Sequence, residues 1–516
     1  MAWSIIVSAL EAGHALSTST ATPFAIREPN RWAVLALLGV AQLMVVLDVT
    51  IVNIALPSAQ TALHFSTDSR QWIITAYALA FGSLLLLGGK LGDLFGRKWT
   101  FIGGIIGFAV ASAIGGLAQS FGMLVAARAL QGAFGAILAP SALGLLTVTF
   151  QGSPDRAKAF GIFSAIAGGG ASVGLLLGGA LTQTLSWRWC LYVNLVICVP
   201  TAIMALRLLR NQAQTDRPRI DLLGVVLASG GLFALVYGFS SAETSSWSAP
   251  ATIVALTASV LLLIAFVVRE RSAQHPLLPL HIVWDRARGG AYASIVLVGS
   301  AVFAVFLFLT FYMQRNLGYS PLMTGVGFLP MTGMIVLTAT TVQTRVLPRT
   351  GARPVVLTGM TTGIIAMVLL TRLTPHGDYV GQVLPGLVLT GLAMGCIFAP
   401  AFSTATLGVK PTEAGVASAM VNTSQQVGGS VGTALLSTIF ASAAASYLSA
   451  HAKAPGLATA ASIHGYTTAF AFAAGLFGLG LLVALFILPS GDASRARAIA
   501  DHAGARGELA VNVESI

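Results

Sequence analysis

Fourteen stretches of this chain are long and apolar enough to be buried in hydrocarbon, and that repetition excludes most soluble folds. Crossing about 30 Å of bilayer core takes roughly 20 residues of helix. Apolar runs between polar breaks lie near 32–57, 71–91, 99–118, 121–149, 157–183, 189–208, 221–240, 249–268, 288–313, 321–345, 354–371, 379–408, 413–446 and 463–488. Only 9% of the residues are charged, against about 25% in soluble domains, so no water-exposed surface can be built from them. The expected fold class is an all-α integral membrane protein of 14 transmembrane helices.

An even number of spans leaves both termini on one side. With that side inside, 22 of the 28 Lys and Arg fall in cytoplasmic segments and five outside, the bias the positive-inside rule requires. This placement accounts for the net charge of +11 without nucleic acid as a partner. Trp32, Trp72, Trp99, Trp187, Trp189 and Trp284 stand at span ends, where an aromatic belt meets the headgroups. Cys190, Cys198 and Cys396 lie in apolar runs without disulfide or metal spacing, so they read as small apolar residues. The first thirty residues have no basic region before their short apolar run and do not make a secretory signal.

Charged connectors divide the chain into a cytoplasmic N-terminal tail (1–30), a six-helix bundle (31–210), an inserted helix pair with its linker (211–287), a second six-helix bundle (288–490) and a cytoplasmic C-terminal tail (491–516). A short internal repeat supports two pseudo-symmetric bundles. Gly135-Ala136-Ile137-Leu138-Ala139-Pro140 recurs as Gly395-Cys396-Ile397-Phe398-Ala399-Pro400, and Ser172-Val173-Gly174 recurs as Ser430-Val431-Gly432. Both matches fall in the fourth and fifth spans of their halves, in register.

Asp48 is the sole ionisable residue of the first span. A charged carboxylate at the bilayer centre costs about 2.5–3.5 kcal/mol on insertion scales, so Asp48 must line water, meet a cation or be protonated part of the time. At 1.5 Å rise per residue, Asp48 lies about 14 Å below Pro57 and Arg128 about 10 Å below Phe121. These depths are within reach of one long side chain, which makes Arg128 the expected partner. The alternatives are a permanent structural pair, or an Arg128 that only braces the bundle. Between the second and third spans stands Gly89-Lys90-Leu91-Gly92-Asp93-Leu94-Phe95-Gly96-Arg97-Lys98, with Asp93 and Arg97 four residues apart and Gly96 permitting a tight turn. In the fifth span Gly170, Gly174 and Gly178 form a small-residue stripe that invites close helix packing; Ser424, Gly428 and Gly432 do the same in the thirteenth.

These residues resemble the signatures of the major facilitator superfamily. The 89–98 stretch is similar to its G-x-L-A-D-x-x-G-R-K motif, with Gly92 for Ala and Leu94 where Arg is common. Leu47 to Pro57 resembles the first-span L-D-x-T-I-V-N-V-A-L-P motif of the fourteen-span drug:proton antiporter branch, differing at Ile54. Arg128-Ala129-Leu130-Gln131-Gly132 is similar to R-x-x-Q-G, and Gly174 to Gly179 to G-P-x-x-G-G with Leu175 in place of proline.

The resemblance implies a proton-coupled carrier of the bacterial plasma membrane that exports a hydrophobic drug or metabolite by alternating access. Its partners would be the bilayer, protons and a small hydrophobic or monocationic substrate, with no cofactor, no metal and a monomeric state. Asp48 and Arg128 would handle the proton. Asp93, Gly96 and Arg97 would form a cytoplasmic latch, and Gly174 and Gly178 a gating surface; without the motif proline the fifth span should be straighter at Leu175. Spans one, four, nine and thirteen would face the substrate, with Gln42, Asn53, Gln131, Phe311, Tyr312, Gln314, Asn422, Gln425 and Gln426 as candidate contacts. A proton symporter importing a small organic solute and a non-transporting membrane sensor are the rival readings. An enzyme is not expected, because the spans hold no His/Asp or Glu cluster and no nucleotide loop.

Overall fold

The computed structural model describes residues 30–65, 69, 71–210, 221–451 and 457–489. The expected terminal tails thus lie outside the described residues, apart from Asn30. Among the described residues there are fourteen helices long and apolar enough to cross a membrane, and no strand. We label them α1 (Arg31–Leu63), α2 (Gln71–Phe95), α3 (Arg97–Gly116), α4 (Phe121–Thr149), α5 (Arg156–Thr184), α6 (Trp189–Leu208), α7 (Leu222–Thr244) and α8 (Pro250–Ser272). There follow α9 (Arg286–Arg315), α10 (Leu322–Thr350), α11 (Ala352–Leu370), α12 (Tyr379–Ala405), α13 (Ala414–Ala450) and α14 (Leu457–Phe486).

Local chemistry sets several ends. The Ser120 side chain accepts from the Met123 amide to start α4, and the Asp285 carboxylate accepts from the Ala287 and Arg288 amides to start α9. Gly96 separates α2 from α3 at φ 87°, a conformation that side chains resist. Pro57 does not end the first helix, as the apolar run suggested; α1 continues to Leu63 with the proline inside it, at the loss of one backbone hydrogen bond. α10 and α12 each contain a π-helical turn, at Val342–Val346 and Tyr379–Val383.

The packing repeats with an offset of eight helices. In the first half α1 packs on α4, α5 and α6, α2 on α4, and α3 on α4 and α6; in the second α9 packs on α12, α13 and α14, α10 on α12, and α11 on α12 and α14. The glycine stripes explain the tightest of these contacts. A Cβ at Gly174 or Gly178 would strike Thr50, Leu47 and Ile51 of α1, and one at Gly428 or Gly432 would strike Val296 and Ser300 of α9.

Two seams join the halves. One sets α13 against α2 and α4; the other sets α5 against α10 and α12. The inserted pair covers the first seam, with α7 packed on both α2 and α13 and α8 outside it. Thr75 on α2 and Ser240 on α7 share a hydrogen bond of 3.2 Å, and the Trp247 indole donates to Thr438 on α13 at 2.9 Å. At the foot of the pair Arg269 bonds Asp221 at 3.0 Å, and that hydrogen bond holds the Asp221 carboxyl below the usual carboxylate range.

At the α2/α13 seam a Cβ on Gly89 would lie 2.6 Å from both the Gly415 carbonyl oxygen and the Ala419 Cβ, whereas one on Gly103 would meet nothing within 4 Å. Overpacking a tight contact costs about 1–3 kcal/mol, while replacing an open helical glycine by alanine gains up to about 1 kcal/mol. Gly89→Ala is therefore expected to lower the thermal unfolding midpoint of the detergent-purified protein, and Gly103→Ala to leave it unchanged or raise it.

Candidate functional site

The centre of the first bundle holds the charges the apolar runs cannot solvate. Arg128 on α4 donates through Nη1 to Asp48 Oδ2 at 2.6 Å. The other carboxylate oxygen accepts from Gln131 Nε2 at 3.1 Å and from Asn194 Nδ2 at 2.7 Å. Ser112 on α3 accepts from both amides, at 2.9 and 3.0 Å, and donates to the Leu191 carbonyl at 2.8 Å. Asp48, Ser112, Gln131 and Asn194 are fully buried, and Arg128 nearly so. The face of the guanidinium is covered by the Tyr77 ring at 4.4 Å. Gly132 makes that possible, since a Cβ there would collide with the Tyr77 carbonyl and push α2 away from α4.

The expected pairing of Asp48 with Arg128 is thus present. Ser112, Asn194 and Tyr77, which complete it, were not among the sequence candidates; an isolated Ser or Asn in a span bonds a neighbouring helix too commonly to be singled out. A buried ion pair survives when further hydrogen bonds satisfy its remaining lone pairs, and Asp48 accepts three. The Tyr77 hydroxyl, Arg128 Nε and Asn194 Oδ1 are buried without a partner among the described residues, an arrangement that costs free energy and that another conformation can relieve. On the side toward Pro57 the network is closed by an apolar cluster that includes Val52, Leu56, Leu124, Trp187 and Leu191.

The second group of candidates sits at the end of the bundle that carries the basic connectors. Asp93 Oδ1 accepts from Arg97 at 2.6 Å and from the Gly415 amide at 3.1 Å, while Oδ2 accepts from the Val416 amide at 3.2 Å. The carboxylate therefore seals the first turn of α13, where unpaired amides and the helix dipole favour an anion. Gly96 supplies the turn that aligns Arg97. Lys90 donates to the Pro276 carbonyl at 2.9 Å, and Arg156 on α5 donates to Thr406 beyond α12 at 3.0 Å. The first bond ties α2 to the linker that precedes α9, and the second ties the two halves together at this end.

Gly174 and Gly178 stand elsewhere than a gate between halves requires. They face α1 within their own half, next to Asp48, and the surface toward α10 is formed instead by Gly168 and Gly169, which adjoin Ile335 and Thr332, and by Gly179, which adjoins Leu322. Ser172 and Thr332 share a hydrogen bond of 2.6 Å across that seam. α5 thus contacts the Asp48 segment on one face and the opposite half on another.

A cavity of about 220 Å³ lies between the halves, lined by Ala167, Gly168 and Ala171 of α5, Phe303 and Phe306 among others on α9, Met394 and Phe398 of α12, and Gln425 and Gly429 of α13. Among the described residues, Gln425 is the one proposed substrate contact that lines it. The expectation that spans one and four face this space is corrected, because the glycine face of α5 covers α1 and the polar face of α4 is used by the Asp48 network. Gln131 belongs to that network. Gln42 is buried on α1, and the side chain of Asn53 lies outside the described residues. The Tyr312 hydroxyl donates to the Thr374 carbonyl at 2.9 Å, Asn422 donates to the Ser418 carbonyl one turn back at 2.9 Å, and Gln314 is half-buried near the end of α9. Phe311 covers Arg315 at 5.1 Å, and Gln426 packs beside Gly82 at the α2/α13 seam. No group of three or more potential metal ligands is found among the described residues.

Comparison with known proteins places this geometry in context. The family model described as Major Facilitator Superfamily matches residues 38–433. The chain is 48% identical over 469 residues to the puromycin resistance protein pur8 of Streptomyces alboniger, covering 90% of this chain and 92% of that one. It is 38% identical to the cephamycin export protein CmcT of Amycolatopsis lactamdurans, over 84% and 87% of the two chains. It is 36% identical to the tetracenomycin C resistance and export protein of Streptomyces glaucescens, over 82% and 78%. A crystal structure of the human organic anion transporter MFSD10 superposes with a TM-score of 0.60 at 16% identity, over 88% of this chain and all of that one; it speaks to the fold alone.

Removing one partner of a buried pair costs about 3–5 kcal/mol, because it strands the other charge. Arg128→Gln is expected to lower the unfolding midpoint markedly, and adding Asp48→Asn to that variant is expected to recover at least half the loss. Thermal unfolding of the three purified proteins in one detergent checks both signs.

Proposed function

The chain belongs to the major facilitator superfamily, a family of multi-pass membrane transporters, and from that premise we propose that it exports a hydrophobic compound in exchange for protons. The observation that carries the proton-coupled part of this reading is the Asp48–Arg128 network: a carboxylate sealed from lipid and paired, in a network where three buried polar atoms lack partners among the described residues. The export direction draws on the relatives, which are named for antibiotic resistance and export. The bias of basic residues among the connectors supports an orientation with the Asp93 end of the bundle, and both termini, on the cytoplasmic side of a bacterial plasma membrane.

In this reading the conformation described is closed toward the cytoplasm. Asp93 latches α2 to the amides of α13, and Gly89 and Gly415 bring the two backbones into contact. Inward opening parts this seam and exposes the amides, while α5 shifts against α10 at the other seam. Two such states exchanged about a central site constitute alternating access.

The cavity between the halves is the proposed substrate site. Phe303, Phe306, Met394 and Phe398 offer aromatic and polarisable surface, Gln425 offers one polar group, and no described lining residue is charged. Such a surface suits a neutral or singly charged amphipathic molecule and gives a dication no counter-charge. Proton and substrate then occupy different places, and α5 is the element both touch. Protonation of Asp48 releases its hold on Arg128, Gln131 and Asn194, loosens α1 against the Gly174 face, and lets α5 shift against α10. Deprotonation toward the cytoplasm restores the network.

Everted membrane vesicles energised to an acidic interior test the exchange. Addition of an exported compound such as puromycin is expected to dissipate the pH gradient with the wild-type chain and not with Asp48→Asn, at equal expression. Gradient collapse undiminished by Asp48→Asn would remove Asp48 from the coupling.

A further inference from the structure

The cavity between the halves holds about 220 Å³, less than the roughly 300–1,000 Å³ that drug-sized ligands occupy. A larger compound therefore needs space that the cytoplasm-closed conformation keeps shut. Two buried side chains beside the cavity mark where that space opens. Ser164 on α5 and Gln343 on α10 are almost completely removed from solvent. The Ser164 hydroxyl, and both the oxygen and the nitrogen of the Gln343 carboxamide, have no hydrogen-bond partner among the described residues. Buried polar groups are nearly always paired, and leaving these atoms unpaired costs free energy that the closed conformation carries.

Both residues lie between the cavity and the Arg156 end of α5. Ser164, Ala167, Gly168 and Ala171 have the i, i+3, i+4, i+7 spacing of one helical face, and the last three line the cavity. Ser164 thus continues that wall by one turn, about 5 Å further toward the latch end. Gln343 stands lower still on the facing helix, where a Cβ at Gly161 would lie 3.1 Å from its own Cβ. It belongs to the π-helical turn Val342–Val346, a feature that recurs at functional sites. Ala165, Ala339 and Ala399, one each from α5, α10 and α12, form a buried cluster at the level between Gln343 and the cavity. Only small side chains thus stand on these three helices at that level. On the other side of the cavity the seam is satisfied, since Ser172 and Thr332 bond each other at 2.6 Å.

We infer that Ser164 and Gln343 form the cytoplasmic part of the substrate site, which takes the neutral hydrogen-bonding end of an amphipathic compound on entry. When α5 shifts from α10, both side chains join the enlarged cavity. The carboxamide offers two donors and an acceptor oxygen, and the hydroxyl can play either role. An amide, hydroxyl or carbonyl of the compound satisfies them, while its apolar part lies against Phe303, Phe306 and Phe398. Closing the seam withdraws both groups, so the compound is held less tightly once it faces outward. The cost of stranding them is then part of what separates the two conformations. The inference rests on the export reading and the orientation proposed above.

Everted vesicles present the cytoplasmic face to the medium and test this with puromycin as the probe. Gln343→Met keeps the bulk of the side chain and removes its hydrogen-bonding groups. It is expected to raise the KM for puromycin uptake at least fivefold, to keep the maximal rate within twofold, and to leave the unfolding midpoint unchanged or higher. Ser164→Cys gives a chemical readout that needs no transport; the native cysteines are buried, and the wild type sets the background. A membrane-impermeant maleimide is expected to label Ser164→Cys, and saturating puromycin to slow that labelling at least threefold. Ser294→Cys, at a buried position on α9 where the serine bonds the Gly290 carbonyl, is expected to stay unlabelled. Uptake by the wild type with an unchanged KM in Gln343→Met, a fall in the midpoint of that variant, or labelling of Ser164→Cys that is absent, indifferent to puromycin or matched by Ser294→Cys would overturn the site alone. No puromycin uptake by the wild type would take the export reading down with it.

Discussion

A carboxylate and a guanidinium removed from water at the centre of one bundle set the terms for everything packed around them. Taking either charge into a low-dielectric interior costs several kcal/mol, and the chain offsets this with hydrogen bonds drawn from α1, α3, α4 and α6, and a ring from α2. Five of the six helices of the first half thus converge on Asp48 and Arg128. The glycines follow from the same demand. Gly132 admits Tyr77 to the guanidinium, and Gly174 and Gly178 let α5 lie directly on the α1 turn that carries Asp48. A change of charge at this point cannot remain local, because each hydrogen bond lost is a constraint released on a different helix.

The two halves share a frame and differ in what they carry. Every principal helix contact of the first bundle has its counterpart in the second, down to the glycine stripes of α5 and α13 and the interior prolines Pro140 and Pro400. Yet α9, the counterpart of α1, has no acidic residue along its length, and it contributes Phe303 and Phe306 to the cavity wall. The proposed division gives proton chemistry to the first half and most substrate contacts to the second, with α5 between them. The inserted α7–α8 pair breaks the symmetry at one seam only, leaving the α5/α10 seam uncovered by it.

The sequence disclosed what hydrocarbon forbids more readily than what it tolerates. Fourteen spans were legible because each must be long and apolar, and Asp48 and Arg128 stood out because a charge in lipid has to be answered. Even their pairing followed from rise per residue. Ser112, Asn194 and Tyr77 were not legible, since neutral polar groups in spans are common and their partners depend on helix rotation. The same limit misplaced the cavity wall. Gln42, Tyr312 and Asn422 are polar residues on helices, but the faces they occupy are fixed by packing between spans far apart in the chain, and among the described residues Gln425 is the one substrate candidate that lines the cavity. The glycines of α5 gave the close contact correctly and its direction incorrectly, because a stripe of small residues does not say which neighbour it admits.

The central claim is that the Asp48 carboxylate exchanges its proton as substrate binds and the halves move. Its most direct measurement is proton release in weakly buffered detergent solution, followed with a pH dye as puromycin or a related exported compound is added to the purified chain. The account predicts a saturable release of up to one proton per protein molecule in the wild type and none in Asp48→Asn that still binds the compound. An identical release from both proteins, or saturable binding to the wild type with no release at any pH tested, would contradict it.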